Sequence, residues 1–151
     1  VMLPFVRNKE DLIILREALK QNNCEDIRIF AKIENMTGVE HLEELIPYCD
    51  YIVIARGDLG NVMPLSELPK VQAYIAKVCK EHNKNFMVVT QMLDSMIRNP
   101  YPTRAEVNDI YHAVHQGANA LMLTGETAHG RYPVEAMKML VETANGSLEE
   151  L

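Results

Sequence analysis

The sequence has no Cys-x-x-Cys, no run of lysine and arginine, no long uncharged apolar stretch, and no basic leader followed by an apolar core. Each absence removes a class of function. The three cysteines, Cys24, Cys49 and Cys79, are odd in number and far apart, which argues against a disulfide framework or a structural zinc site. Cys79-x-x-His82 supplies at most two of the four ligands such a site needs. Reduced, structural thiols of this kind fit the cytoplasm. With 15 basic against 21 acidic residues and a formal net charge of -6, the chain is not expected to bind nucleic acid or an anionic membrane. A small phosphate-bearing substrate stays open, because it needs only local positive charge. Neither a signal peptide nor a membrane span is expected. The opening "VMLPF" is already apolar and strand-like without a start methionine, and reads as a cut through a larger protein.

What is present is a regular alternation. At 151 residues and 48% hydrophobic, the chain can bury the core of one domain. Short β-rich runs alternate with helical ones: "VMLPF" and "KEDLIILREALKQ", "IRIFAKIE" and "GVEHLEELIPY", "YIVIA" and "LPKVQAYIAKVCKEH", "FMVVTQM" and "RAEVNDIYHAVHQ", "ALMLT" and "VEAMKMLVETAN". Strands recurring with helical crossovers predict parallel βα units. Thr37-x-x-Glu40 and Thr103-x-x-Glu106 read as capping boxes, and Pro133 suits a first helical turn. Leu12, Leu15 and Leu19 form one apolar stripe; Val71, Tyr74, Ile75 and Val78 form another.

The C-terminal ends of the runs collect polar residues: Pro4-Phe5-Val6-Arg7, Lys32-Ile33-Glu34-Asn35, Arg56-Gly57-Asp58, Thr90-Gln91 and Thr124-Gly125-Glu126. Parallel α/β proteins place their sites at that edge. Alternate residues of a strand share a face, so Lys32 and Glu34 point the same way. About five strands are present where a closed (β/α)8 barrel needs eight, so the expected fold is α/β, a partial TIM barrel, with an open doubly wound sheet as the alternative.

Glu34 and Asp58, carboxylates on successive strand ends, suit Mg2+ or Mn2+ with positions left for water and substrate oxygens. Lys32 beside them suits a substrate that gains negative charge, as an enolate or a transferring phosphoryl group does. The amides of Gly57 and Asp58 offer themselves to a substrate carboxylate, and Thr90 adds a hydroxyl. The same residues also describe a structural ion pair at Lys32 and Glu34 and a turn pair at Arg56 and Asp58. His41, His82 and His129 stand alone, and His112 and His115 share a helix face without a third ligand, so all five read as surface or packing groups. Met92 and Met96 read as core filler, and Glu149-Glu150 as a solvated helix end.

"KIEN", "ARGDLG", "TQMLDSM", "NPYPTRAEVNDI" and "LTGETAHGRYPVEA" follow one another in an order and at separations that resemble pyruvate kinase, over nearly the whole chain. The resemblance implies strands four to eight of that family's catalytic barrel, transfer of a phosphoryl group from phosphoenolpyruvate to ADP, a need for Mg2+ or Mn2+, and K+ in many members. It implies Glu34 and Asp58 as metal ligands, Lys32 as the cation on the phosphoryl and enolate, Ala55 and Gly57 beside the substrate carboxylate, and Thr90 in protonation of the enolpyruvate through water. Phe5 and Arg7 match the family's Phe-x-Arg in a supporting role, and Thr124 and Glu126 match its Ser-Gly-Glu-Thr segment. Three positions depart from the pattern: Val62 stands where an acid is expected, Thr124 replaces serine, and Pro4 replaces a small polar residue. The lid domain, the first three strands with their phosphate-binding arginine and K+ ligands, and the C-terminal domain have no counterpart in the chain. The 151 residues alone are therefore expected to transfer phosphoryl groups very slowly and to self-associate through unpaired strand edges. Two other functions share these features: a metal-dependent lyase of pyruvate enolates, and a non-catalytic self-associating half-barrel.

Overall fold

The structure, a computed structural model, describes residues 1–149; Glu150, half of the acidic tail, lies outside them. Five parallel strands alternate with helices, in two compact units, Val1–Met87 and Val88–Leu151.

The first unit begins with β1 (Met2–Leu3) and α1 (Lys9–Gln21). Asn8 caps α1 by accepting the Asp11 amide at 3.3 Å, and the leucine stripe buries Leu12 completely. Strand β2 (Phe30–Ile33) pairs in parallel with β1 and with β3 (Tyr51–Ala55), in a register that sets Lys32 opposite Val53 and Ile33 opposite Ile54. Phe30 and Tyr51, partners in that register, stack at 4.5 Å. Ile52, Val53 and Ile54 are successive and all fully buried, as expected of a parallel strand covered on both faces.

The segment after β2 departs from the single helix predicted over "GVEHLEELIPY". It breaks at His41 into α2 (Met36–Glu40) and α3 (Leu42–Leu45), followed by a 3-10 turn at Ile46–Tyr48. The capping box expected at Thr37 and Glu40 does not form. Asn35 is the cap, its side chain accepting the Gly38 amide at 2.8 Å, and Thr37 lies inside α2. Asn35 enters extended, the backbone a cap requires, one residue after Glu34 leaves the strand region. Gly38 is required at its position, because a Cβ there would stand 2.5 Å from the Val6 carbonyl.

Strand β3 leads directly into α4 (Arg56–Val62), a 3-10 turn at Leu65–Glu67, and α5 (Leu68–Glu81). On α5, Ile75, Ala76, Val78 and Cys79 are buried, but Tyr74 is 44% exposed and Gln72 is buried instead. The inward stripe is thus rotated slightly from the one read from Val71, Tyr74, Ile75 and Val78.

Strand β4 (Asn85–Val89) crosses from the first unit into the second. It ends before Thr90, so the predicted run "FMVVTQM" is cut short where Thr90 and Gln91 take left-handed backbone angles, φ 79 and 54. The second unit continues with a 3-10 turn at Asp94–Ile97, α6 (Arg104–His115), β5 (Ala120–Met122), α7 (Gly125–Ala128) and α8 (Pro133–Gly146). The capping box at Thr103 and Glu106 is present, and Pro133 opens α8 as expected. Met92, Leu93, Met96, Ile110 and Ala113 are buried, so the two methionines fill the core.

Candidate active site at the strand ends

In the first unit the ends of β1, β2 and β3 converge on one carboxylate. Glu34 follows β2 and its side chain is 1% exposed, a costly place for a charge unless both oxygens are satisfied. Lys32, two residues earlier on the same face, places Nζ 2.6 Å from Oε1. The Phe5 amide, just past β1, donates to Oε2 at 2.6 Å. That amide is aimed by a left-handed backbone at Phe5, φ 52, while the Phe5 ring stays exposed. Val6 donates to the Lys32 carbonyl at 3.3 Å and accepts from Asn35 Nδ2 at 3.4 Å, tying the strand ends together.

Asp58, half-buried in the first turn of α4, reaches the same carboxylate. Burial first, then a hydrogen bond to Glu34 and the negative charge of Glu34, push its carboxyl above the usual range; Lys32 pulls the other way. Two carboxylates that face one another from neighbouring strand ends offer oxygen donors to a single divalent cation. The donor set therefore fits a hard oxygen-seeking ion held by Glu34 and Asp58. Among the described residues no group of three or more histidine, cysteine, aspartate or glutamate side chains could hold a metal ion. Other positions around such an ion would belong to water and substrate oxygens. Ala55, buried, is the residue before α4, and Gly57 is its second residue, so the backbone bordering Asp58 carries little side-chain bulk. Arg7 is not at this cluster: it is exposed and pairs with Asp11 at 3.6 Å.

Thr90 lies in the second unit, in the left-handed segment after β4. The Thr124 to Glu126 segment belongs to the same unit. Glu126 is buried and accepts from the amides of Leu93 and Thr124 at 3.1 and 2.8 Å.

Two participants were not read from the sequence. The Phe5 amide carries no residue signature, since every residue but proline offers one. Asn35 did carry a signal: asparagine before a helix start is a preferred cap, and Asn35-x-x-Gly38 competes with Thr37-x-x-Glu40.

The chain matches the family model described as pyruvate kinase, barrel domain, over residues 1–137. It is 43% identical over 151 residues to a pyruvate kinase of Clostridium acetobutylicum, covering 100% of this chain and 32% of that protein. It is 46% identical over 149 residues to a pyruvate kinase of Thermotoga maritima, covering 99% of this chain and 32% of that one. A crystal structure of a pyruvate kinase from Cryptosporidium parvum superposes with a TM-score of 0.93 at 34% identity, over 97% of this chain and 31% of that chain. The chain thus spans about a third of the length of these relatives.

Proposed function

The chain belongs to the pyruvate kinase family, and from that membership we propose that the complete protein carrying it transfers the phosphoryl group of phosphoenolpyruvate to ADP, giving pyruvate and ATP. In this reading the 151 residues are strands four to eight of the catalytic barrel. The first strands, the lid domain, the C-terminal domain and the K+ site are carried elsewhere in the protein, and the protein works in the cytoplasm.

The observation that carries the proposal is the meeting of Lys32, Glu34 and Asp58 around one buried carboxylate. Mg2+ or Mn2+ held by Glu34 and Asp58 supplies positive charge to the substrate oxygens. Lys32 faces the negative charge that grows on the enolate and the phosphoryl oxygens as the bond from phosphorus to the enol oxygen breaks and one to the ADP oxygen forms. The backbone at Ala55 and Gly57 borders the substrate carboxylate. Thr90 assists delivery of a proton from water to the methylene carbon of enolpyruvate, which completes pyruvate. Thr124 keeps the hydroxyl of the family's serine, and Val62 leaves the last turn of α4 without the family's usual acid.

The test is steady-state turnover by the complete protein with phosphoenolpyruvate and ADP, beside aldol cleavage of a 4-hydroxy-2-oxo acid. Wild-type protein should form ATP and pyruvate, and Lys32→Met should lose roughly 100- to 1000-fold in kcat. Aldol cleavage without phosphoryl transfer would replace this reading with the lyase.

A further inference from the structure

Glu126 is the second fully buried carboxylate of the strand-end segments, 1% exposed, and it lies in the second unit. Its two oxygens are spent on different stretches of backbone. Oε1 accepts the Leu93 amide at 3.1 Å; Oε2 accepts the Thr124 amide at 2.8 Å and, more loosely, the Thr124 hydroxyl at 3.4 Å. One carboxylate therefore joins the segment that follows β4 to the segment that follows β5.

The segment it grips is strained. Thr90 and Gln91 both have positive φ, 79 and 54. For a β-branched residue such as threonine that conformation is disfavoured and persists only where the surroundings over-determine it. Here they do so from the C-terminal side. Met92 and Leu93 are buried to 0%, the Leu93 amide is bound by Glu126, and the Leu93 carbonyl accepts the Met96 amide at 2.8 Å. Gly125, next to Glu126, closes the arrangement: a Cβ there would stand 3.0 Å from Ile97 Cδ1, at the end of the 3-10 turn that Leu93 begins.

We propose that Glu126 is a positioning residue for Thr90: it holds the Thr90 to Leu93 backbone in the strained geometry from which Thr90 serves proton delivery. The proposal rests on the role given to Thr90 under the proposed function. It assigns Glu126 no contact with substrate or metal.

The test compares wild type, Glu126→Gln, Thr90→Ala and the double variant of the complete protein. Three quantities are measured: Mn2+-oxalate affinity, the KM for phosphoenolpyruvate, and exchange of the pyruvate methyl protons with D2O. The amide of glutamine keeps the volume but replaces one acceptor oxygen with a donor facing a backbone N–H. Glu126→Gln is expected to keep oxalate affinity and KM within about threefold and to slow methyl exchange about 10- to 100-fold, the scale of a small misplacement of a reacting group. In the Thr90→Ala background the same change should slow exchange by less than about threefold, because the two residues act through one step. Unchanged exchange in Glu126→Gln, an undiminished further loss in the double variant, or loss of oxalate binding in parallel with exchange would overturn the proposal. Unaltered exchange in Thr90→Ala would overturn the role of Thr90 itself, and the single variant shows which of the two has failed. If Glu126→Gln does not fold, Glu126→Asp, which keeps the charge but withdraws it from Leu93, is read by the same criteria.

Discussion

Removing Glu106 should loosen the start of α6 and the turn before it by an amount the structure allows to be worked out. Its carboxylate accepts four hydrogen bonds: Ser95 N at 2.7 Å on Oε1, and Ser95 Oγ at 2.6 Å, Thr103 N at 2.7 Å and Thr103 Oγ1 at 2.9 Å on Oε2. The capping box alone contributes about 1 kcal/mol. The two bonds from Ser95 to a charged acceptor add about 1–2 kcal/mol after allowance for partial exposure. Glu106→Ala should therefore cost about 2–3 kcal/mol, or roughly 30- to 150-fold in local hydrogen-exchange protection across residues 94–116. The pH dependence follows from the same bonds. Burial raises the Glu106 carboxyl, but the Ser95 and Thr103 bonds outweigh it and hold the group below its ordinary value. A depressed carboxylate stabilises the fold fully above its unfolded pKa, about 4.3, and less as pH falls through the lower folded value. The difference between wild type and Glu106→Ala should thus be level from about pH 8 to pH 5.5 and shrink below about pH 4. Protection within threefold of wild type at pH 7, or a gap that widens in acid, would refute this reasoning.

Two further outcomes are expected. Burial pushes the Cys49 thiol up to about 11 and the Cys79 thiol up to about 12, with Lys84 opposing in both cases, so neither should alkylate near pH 7.5 in the folded protein. Peptide-resolved iodoacetamide labelling should modify half-buried Cys24 first, and equal rates at Cys49 or Cys79 would contradict the packing. The isolated 151-residue chain should self-associate at micromolar concentration, because an apolar groove lined by Leu121, Met137, Leu140, Val141 and Leu148 runs beside the short β5. A monomeric mass by light scattering would count against it.

The elements whose apolar pattern was uninterrupted were legible residue by residue. "KEDLIILREALKQ" is α1 and "YIVIA" is β3, since the first repeats leucine at helical spacing and the second is a continuous buried run bounded by charge. Errors fell where local capping or backbone angle decided the outcome. Asn35 outcompeted Thr37 as a cap because the chain is still extended there, and the left-handed turn at Thr90 ended β4 inside a stretch whose composition still reads as strand. The pairing of Lys32 with Glu34 was readable from the two-residue period of a strand. That Asp58 would come up against Glu34 required the register of β2 on β3, and that Phe5 would donate its amide required the turn after β1; neither is written in residue identities.

The central claim is that Glu34 and Asp58 form one metal site for an enolate-like ligand. Calorimetric titration of Mn2+ with oxalate, a mimic of enolpyruvate, into the complete protein and into its Asp58→Asn variant tests it most directly. The account predicts saturable binding by the wild type and a loss of at least about 100-fold in the variant, with its fold retained. Equal affinity in the two proteins would contradict the account and leave Lys32, Glu34 and Asp58 as a structural cluster at the strand ends.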